Sequence, residues 1–231
     1  MQTQDFGMAD WPPTCNLAPM ILQVHHQSPQ KRVIDRLLAE LAVGQVLIVP
    51  TDTVYAFICR SDKPKAINRL YDIRNIDARK PLSLLCRDIA MISTYARSIP
   101  NPVFRFMRSH LPGPYTFILD ANRLVDKRGT GKRREVGVRI VNHPVLQSIM
   151  EQLDIPLVST SVTIADEYTT DPEDLHRLYE HQVAAVVDCG PRYHEYSTIL
   201  DCTTTPIKVI REGIGILRET ELEHLLDFGG A

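Results

Sequence analysis

The chain has 231 residues, of which 44% are hydrophobic and 23% charged, with a formal net charge of −2. These values predict one globular domain with a sizeable core, and they exclude a protein whose overall positive charge attracts nucleic acid. No apolar stretch approaches the roughly 18 residues that a membrane-spanning helix needs, and the amino-terminal sequence lacks the pattern of a secretory signal. We therefore expect a soluble, cytoplasmic protein that does not engage membranes, with import into an organelle left open.

Apolar residues recur at helical spacing in several segments, which predicts amphipathic helices. Residues 1–27 show no such pattern and are predicted to be a flexible lead, which leaves residues 28–231 as a single domain. The first helix is expected to have Ser28 as its N-cap, and the second Asp62. The predicted helices cover approximately 28–44, 62–74, 88–96, 102–111, 144–153 and 171–180, with a last one beginning at residue 219.

Short apolar runs between these helices predict strands that are covered on both faces. Strands and helices interleave along the chain without an internal repeat, which is typical of an α/β fold with a mixed sheet. The predicted strands cover approximately 46–49, 54–59, 82–86, 115–119, 136–140, 157–159, 183–188, 198–202 and 207–211.

The segment between the first two predicted strands is the most informative part of the chain. Thr51, Asp52 and Thr53 follow a buried strand, and ligand-binding groups in α/β proteins commonly lie just beyond such strand ends. A later strand also ends in hydroxyl groups, in the sequence Ser159-Thr-Ser161-Val-Thr163. The sequence therefore predicts a polar rim that faces a ligand. The alternative is that the first segment is only a turn, in which Asp52 caps its own backbone.

A basic stretch follows the strand predicted at 115–119. Lysines and arginines crowd around Gly129 and Gly131, and a flexible basic loop beside a polar rim suits phosphate or RNA. We predict an RNA contact at Lys127, Arg128, Lys132, Arg133 and Arg134. The alternative is a solvated surface loop that is basic by composition alone.

Two common kinds of cofactor site are missing from the sequence. No glycine-rich phosphate-binding motif of the Rossmann or P-loop type occurs, so a nucleotide would be held by side chains and strand-end hydroxyls. The five cysteines and eight histidines show no spacing typical of a disulfide framework or a zinc site. The sequence thus predicts reduced thiols and no protein-bound metal.

Six segments of the chain form one pattern when they are taken together. They are Val49-Pro-Thr-Asp-Thr-Val-Tyr55, Leu111-Pro-Gly-Pro-Tyr-Thr-Phe117, Gly137-Val-Arg-Ile140, Leu157-Val-Ser-Thr-Ser161, Tyr196-Ser-Thr-Ile-Leu-Asp201 and Val209-Ile-Arg-Glu-Gly213. In order and spacing, over about residues 30–218, they resemble the YrdC/YciO family, whose best-known members are threonylcarbamoyl-AMP synthases. The resemblance implies a YrdC/RibB-like fold, in which an open, twisted, mixed α/β sheet surrounds a concave basic pocket.

The resemblance also implies a reaction and its binding residues. Synthases of the family convert ATP, L-threonine and bicarbonate into threonylcarbamoyl-AMP and pyrophosphate, for the modification of adenosine 37 in tRNA. ATP would be a substrate whose phosphates carry Mg²⁺, and an arginine would clasp the threonine carboxylate in a bidentate pair. The residues implied for threonine are Thr51, Thr53, Arg139 and Ser197. Those implied for the nucleotide are Arg74, Lys80, Ser159, Ser161, Thr163 and Arg211. No catalytic side chain is assigned, because the chemistry depends on positioning and charge neutralisation.

Four positions, Arg74, Ile76, Leu85 and Thr163, depart from the synthase pattern. The K-x-R pair of synthases falls at Arg74 and Ile76, and their S-x-N falls at Ser161 and Thr163. A histidine of some members falls at Leu85. These departures resemble the YciO branch. They favour an alternative function, that of a non-catalytic module that binds a nucleotide, tRNA or double-stranded RNA.

Single residues of this set also have simpler explanations. Ser197 is a candidate to satisfy a backbone group, and Arg139 is a candidate to pair with a carboxylate such as Asp188 or Asp201. A lyase related to dihydroxybutanone-phosphate synthase, which uses clustered acids and Mg²⁺, is disfavoured because Asp52 is the only acid on the predicted rims.

Overall fold

One mixed sheet organises the part of the chain that the structure describes. The computed structural model describes residues 20–25, 27–78, 80–125, 134–162, 171–192 and 196–220. Its strands are β1 (Met20–Gln23), β2 (Leu47–Val49), β3 (Ala56–Arg60), β4 (Ser83–Leu85), β5 (Tyr115–Asp120), β6 (Glu135–Arg139), β7 (Leu157–Ser161), β8 (Ala185–Asp188), β9 (Thr198–Asp201) and β10 (Lys208–Arg211). Their order across the sheet is β1-β8-β2-β3-β7-β4-β6-β5-β9-β10. Parallel and antiparallel pairs both occur, so the predicted α/β class with an open mixed sheet is confirmed.

Helices connect many of the strands. They are α1 (Lys31–Ala42), α2 (Pro64–Arg74), α3 (Ile89–Tyr95), α4 (Asn101–His110), α5 (Arg123–Val125), α6 (Pro144–Met150) and α7 (Pro172–Tyr179). In α1, Ile34, Leu37 and Leu41 are buried, which is the spacing of an amphipathic helix packed on a core. None of the helices in the described residues is long and apolar enough to cross a membrane.

The central strands lie inside the core. Every residue of β2 and the first four residues of β3 are buried. Because successive side chains of a strand point to opposite faces, the sheet must be covered on both sides at this place. On one side, the ring of Phe57 packs edge-on against Tyr179 of α7, with ring centroids 4.9 Å apart.

The bounds of the predicted elements are within three residues of those observed, but the N-caps predicted for α1 and α2 are wrong. The Gln30 carbonyl accepts the first helical hydrogen bonds of α1, so the helix begins after Gln30 and Ser28 lies outside it. Asp62 does not cap α2, because Arg60 binds its carboxylate through two hydrogen bonds of 2.9 and 2.7 Å. The helix predicted from residue 219 falls mostly outside the described residues.

The predicted flexible lead is too long at its carboxyl end. Residues Met20–Gln23 form β1, which pairs in parallel with β8 at one edge of the sheet. Leu22 and Val24 pack against the core. The four-residue strand was missed because it is short and is followed by the polar pair His25-His26, which hides its apolar pattern.

Candidate functional site

The loop between β2 and β3 is held by a hydrogen-bond network around Thr51. Its hydroxyl donates to the carbonyl oxygen of Val54 at 2.6 Å and accepts from the Thr53 backbone N–H at 3.0 Å. It also lies 2.9 Å from the Thr53 hydroxyl. Since a hydroxyl offers one donor and two acceptor positions, this network uses all three on Thr51. Thr53 is therefore the threonine of the pair with acceptor capacity left for other groups.

Asp52 forms an ion pair with Arg139 at the end of β6. Arg139 Nη2 donates to Asp52 Oδ1 at 2.8 Å and to the Thr53 hydroxyl at 3.4 Å. The backbone N–H of Asn142 donates to Asp52 Oδ2 at 3.0 Å. Neither charged side chain is more than 9% exposed. The turn-only alternative for Asp52 is thus wrong, because its carboxylate binds groups 87 and 90 positions away in the sequence.

The charge of Arg139 is set by competing effects. Burial lowers the pKa of its guanidinium, the Asp52 carboxylate raises it, and the positive charge of Arg211 lowers it again. Two arginines thus lie near each other, and one of them has a carboxylate partner.

Asp188 and Asp201, the partners of Arg139 considered from the sequence, serve their own loops instead. Asp188 Oδ1 accepts from the Gly190 N–H at 2.8 Å, and Asp201 Oδ1 accepts from the Thr203 N–H at 3.0 Å. The sequence alternative that pairs either of them with Arg139 is wrong.

Arg211, at the end of β10, is anchored on Ser197. Its Nε and Nη2 atoms donate to the Ser197 carbonyl oxygen at 3.0 and 2.9 Å, and Nη2 is 3.3 Å from the Ser197 hydroxyl. The guanidinium carbon lies 4.5 Å from the centroid of the Tyr196 ring, which is a cation–π distance. Ser197 Oγ is also 2.9 Å from Thr116 Oγ1. Ser197 therefore positions a cation as well as bonding to a neighbouring strand.

The sheet register joins these two clusters. Thr116 directly precedes Phe117, which pairs with Val138 in the antiparallel β5–β6 ladder, so Thr116 lies opposite Arg139. From Thr116, the contacts continue through Ser197 to Arg211. We call this cluster the paired-arginine site, which consists of Arg139, Arg211, Asp52, Thr53, Thr116 and Ser197.

Ser159 and Ser161 on β7 lie on the same face of the sheet as Arg139. The register pairs Ser83 of β4 with Ser159 on one side and Gly137 on the other, and residues two apart on a strand share a face. A Cβ atom at Gly137 would lie 3.3 Å from Ser83 Oγ. Because Gly137 has no side chain, nothing projects from this position of the sheet face between the serine hydroxyls and the arginine.

Arg74 and Lys80, two other predicted nucleotide contacts, have different settings. Burial raises the pKa of Tyr179, and the nearby charge of Arg74 lowers it. The side chain of Lys80 is exposed. Convergence of Arg74 and Lys80 on phosphate groups stays a prediction.

Comparison with known proteins decides the family. The Sua5_yciO_yrdC family model, described as telomere recombination, matches residues 39–213. The chain belongs to the Sua5/YciO/YrdC family. The uncharacterized protein YciO of Escherichia coli K12 is 34% identical over 195 residues, which cover 83% of this chain and 94% of YciO. The crystal structure of E. coli YciO matches with a TM-score of 0.80 and 32% identity, over 87% of this chain and 98% of that chain.

The chain is similar to two further proteins, one of them a named synthase. The threonylcarbamoyl-AMP synthase of Vibrio vulnificus YJ016 is 27% identical over 187 residues, which cover 78% of this chain and 98% of the synthase. The structure of P. abyssi Sua5 complexed with L-threonine has a TM-score of 0.80 and 22% identity, over 90% of this chain and 61% of that chain. At this identity the Sua5 match shows the fold alone. The predicted family, including its likeness to YciO, is confirmed.

In this member of the Sua5/YciO/YrdC family, apolar side chains occupy two positions where the synthase pattern has polar ones. Ile76 is partly buried and packs against the core, and its backbone N–H donates to the Tyr71 carbonyl oxygen at 3.2 Å. Leu85 is 2% exposed. Both side chains contribute to packing, so neither position supplies charge to a ligand.

Several predicted contacts lie outside the described residues. They are Thr163, Lys127, Arg128, Lys132 and Arg133. Arg134 is described, with an exposed side chain, and its carbonyl oxygen accepts from the Ala121 N–H at 2.8 Å. Arg134 thus lies just before β6 and beside the end of β5. Its RNA contact stays a prediction.

A separate cavity of about 230 Å³ lies between β4, the end of β6 and α6. Its walls are mainly apolar and include Leu85, Ile140 and Leu146, and no predicted site residue lines it. The chemistry of the paired-arginine site, with two cations and several hydroxyls, makes it the better ligand candidate of the two. The described residues contain no group of three or more histidines, cysteines or acids placed to hold a metal ion.

Sequence reasoning missed Thr116, a member of the site, and Tyr196, whose ring contacts Arg211. A signal for Thr116 was available, since it is a polar residue between Tyr115 and Phe117 in an otherwise apolar strand, and buried polar groups require partners. No comparable signal marks Tyr196, because its stacking on Arg211 depends on how β9 and β10 pair.

Proposed function

We propose that this protein is a threonylcarbamoyl-AMP synthase-like enzyme of tRNA modification. Family membership and the similarity to a named synthase support this class. The observation that carries the proposal is the convergence of Thr53, Arg139, Ser197 and Arg211, which come from four separate segments, on one site. Two guanidinium groups among hydroxyls suit a ligand set that includes a carboxylate and phosphates.

L-Threonine binds in this proposal with its carboxylate at Arg139. A guanidinium binds a carboxylate in a bidentate pair either through Nε and Nη2 or through Nη1 and Nη2. Nη2 of Arg139 already donates to Asp52 and Thr53. Nε is buried and has no hydrogen-bond partner among the described residues. The carboxylate therefore binds through Nε and shares Nη2. Thr53, whose hydroxyl has acceptor capacity left, holds Arg139 Nη2 in place and accepts from the amino group of threonine, while Thr51 shapes the loop.

ATP binds on the same face, with Mg²⁺ carried by its phosphates. Arg211 is held in place by Ser197 and neutralises phosphate charge, with Ser159 and Ser161 as hydroxyl donors. Arg74, Lys80 and Thr163 complete the proposed nucleotide contacts.

The reaction needs no nucleophile from the protein. Bicarbonate and the threonine amine form a carbamate with loss of one water molecule, and a carbamate oxygen then attacks the α-phosphorus of ATP. The bond from the α-phosphorus to the bridging oxygen breaks, and pyrophosphate leaves with that oxygen. Aligning the two substrates and neutralising charge on the leaving group are the contributions expected of the protein. The adenylate is then the donor for adenosine 37 of tRNA in the cytoplasm.

The test is pyrophosphate release by the purified full chain with ATP and Mg²⁺. We expect release only when both L-threonine and bicarbonate are present. Arg139→Met should reduce it at least tenfold, since bonds to a charged group are worth about 1.5 to 3 kcal/mol. Arg60→Met, which removes an arginine of an exposed ion pair away from the site, should not. Folded protein that releases no pyrophosphate at high concentration, or release that ignores threonine, would reject the proposal.

A second candidate is a module that binds RNA or a nucleotide without turnover. The packing of Ile76 against the core favours it, because a synthase cation is missing at that position. RNA affinity should then fall steeply with salt and fall again when Arg128, Arg133 and Arg134 are replaced by alanine. An RNA affinity that is unchanged by added salt and by the three alanine substitutions would exclude the basic loop as the RNA contact.

A further inference from the structure

The paired-arginine site contains a negative charge as well as two positive ones. Asp52 lies 2.8 Å from Arg139 Nη2, and both side chains are nearly buried, at 9% and 8% exposure. Charges in such a setting are weakly screened by solvent and salt. Any anion that approaches Arg139 therefore meets the Asp52 carboxylate at the same time.

Asp52 is fixed in this place. Its second oxygen accepts from the Asn142 N–H at 3.0 Å. Its two sequence neighbours, Thr51 and Thr53, are tied together by hydrogen bonds of 2.9 and 3.0 Å. An incoming ligand does not simply displace the carboxylate, because the loop and the Asn142 backbone both hold it.

Arg139 nevertheless keeps one donor for a ligand. Its Nε is buried and has no hydrogen-bond partner in the part of the chain that the structure describes. Leaving a charged donor buried without an acceptor is costly. The arginine thus donates to Asp52 through Nη2 and can donate to a ligand oxygen through Nε.

The penalty that Asp52 imposes on a ligand depends on the ligand's charge. Coulomb repulsion grows in proportion to that charge, so a phosphate group with two or more negative charges loses more than a single carboxylate. A free amino acid carries an ammonium group as well and has no net charge, so its overall repulsion is small.

We propose that Asp52 is a specificity-determining residue that keeps phosphate groups off Arg139 and thereby reserves this arginine for the carboxylate of an amino acid. The inference rests on the proposed function in so far as that function puts an amino acid and a polyphosphate on the same face of the sheet. Asp52 sorts the two ligands, and it does so by charge.

The test measures the affinity of pyrophosphate and of L-threonine by calorimetry for the full chain and for Asp52→Asn. Pyrophosphate should bind the variant at least tenfold more tightly, while the affinity for threonine should change less than threefold. In the double variant Asp52→Asn, Arg139→Met, the gain for pyrophosphate should disappear. Asp62→Asn is the matched control, since it also removes the acid of an arginine pair, and it should leave both affinities unchanged.

Asn142 loses a charged acceptor in Asp52→Asn, so folding is checked by circular dichroism, and Asp52→Ser provides a second variant with a smaller side chain. A folded variant that binds pyrophosphate no more tightly, or a gain that survives the loss of Arg139, overturns the inference. Pyrophosphate affinity needs no turnover. Absent threonine-dependent release therefore rejects the synthase proposal alone, unchanged pyrophosphate affinity rejects this inference alone, and absent threonine binding rejects both.

Discussion

The two threonines of the β2–β3 loop have the same chemistry but different uses. The Thr51 hydroxyl forms all of its hydrogen bonds within the loop, whereas the Thr53 hydroxyl also accepts from Arg139 Nη2. Both are 1% exposed, so burial alone does not separate them. The two hydroxyls differ in how many hydrogen bonds they can still form. Thr51 therefore holds the loop in shape, and Thr53 is available to contact other groups of the site.

Replacing Thr51 by valine should therefore act mainly on stability. The Thr53 N–H and the Val54 carbonyl lose their partner, and each buried group left unsatisfied costs about 1 to 3 kcal/mol. We expect the free energy of unfolding in urea to fall by about 2 to 4 kcal/mol for Thr51→Val. Thr51→Ser keeps the hydroxyl and should lose less than about 1 kcal/mol. Equal stability of the two variants would show that the loop does not depend on this hydroxyl.

Single residues of the site were predictable from the sequence, but their pairings were not. The sequence predicts ligand contacts at Thr53, Arg139, Ser197 and Arg211, and the structure brings these four residues into one cluster. The partner of Arg139 was not found, because Asp52, Asp188 and Asp201 all lie near predicted strand ends, and strand alternation does not say which strand ends meet. That information is held in the order of the sheet.

At the scale of elements, the segment after β10 supports the arginine at its end. Residues 212–216 fold back on β9, where the Ile214 N–H donates to the Tyr196 carbonyl at 3.0 Å and the Gly213 N–H donates to Thr198 Oγ1 at 3.0 Å. A Cβ atom at Gly213 would lie 2.1 Å from the Tyr196 carbonyl oxygen and 2.6 Å from the Ser197 carbonyl carbon. Only glycine allows this approach, because backbone atoms cannot move aside as a flexible side chain can.

Gly213→Ala should consequently disturb the site as well as the fold. We expect a loss of stability of about 1 to 3 kcal/mol from overpacking. We also expect a shift of the Arg211 Nε–H resonance in NMR spectra, since that N–H donates to Ser197. Gly190→Ala is the matched control: Gly190 has a φ of +81° but open space around its Cβ position. It should lose about 1 kcal/mol without moving the Arg211 signal. If Gly213→Ala leaves that signal in place, the segment does not support the arginine.

The elements themselves were largely predictable, since buried apolar runs and helical spacing locate most of them within three residues. Their ends were less so. Asp62 is a good N-cap by residue type, yet Arg60, two residues before it, binds the carboxylate through two hydrogen bonds, and Lys63 is the N-cap position of α2. Ser28 was also a suitable cap, but α1 begins with the Gln30 carbonyl. Local propensity identifies which residues can cap a helix, and competing local contacts decide which one does.

On the scale of the whole molecule, the two edge strands of the sheet come from different parts of the chain. At one edge, β10 follows β9 through a short connection and carries Arg211. At the other, β1 comes from the start of the described chain and pairs with β8, whose other neighbour is the buried β2. β1 therefore pairs with the edge of β8 that β2 does not use, and its Leu22 side chain packs against the core.

Removing β1 should therefore weaken the entire domain. A chain that begins at residue 25 loses Leu22 and Val24, which pack against the core, and exposes the edge of β8. Fully burying a side chain of this kind contributes about 1.5 to 3 kcal/mol, and 1 kcal/mol corresponds to roughly 2 to 4 °C in a protein of this size. We expect Tm to fall by roughly 5 to 15 °C relative to a chain that begins at Met20, and the newly exposed edge to promote association in size-exclusion chromatography. Because both chains lack residues 1–19, the comparison isolates the residues up to Val24. Equal Tm values and equal elution would mean that β1 adds a strand to the sheet without stabilising it.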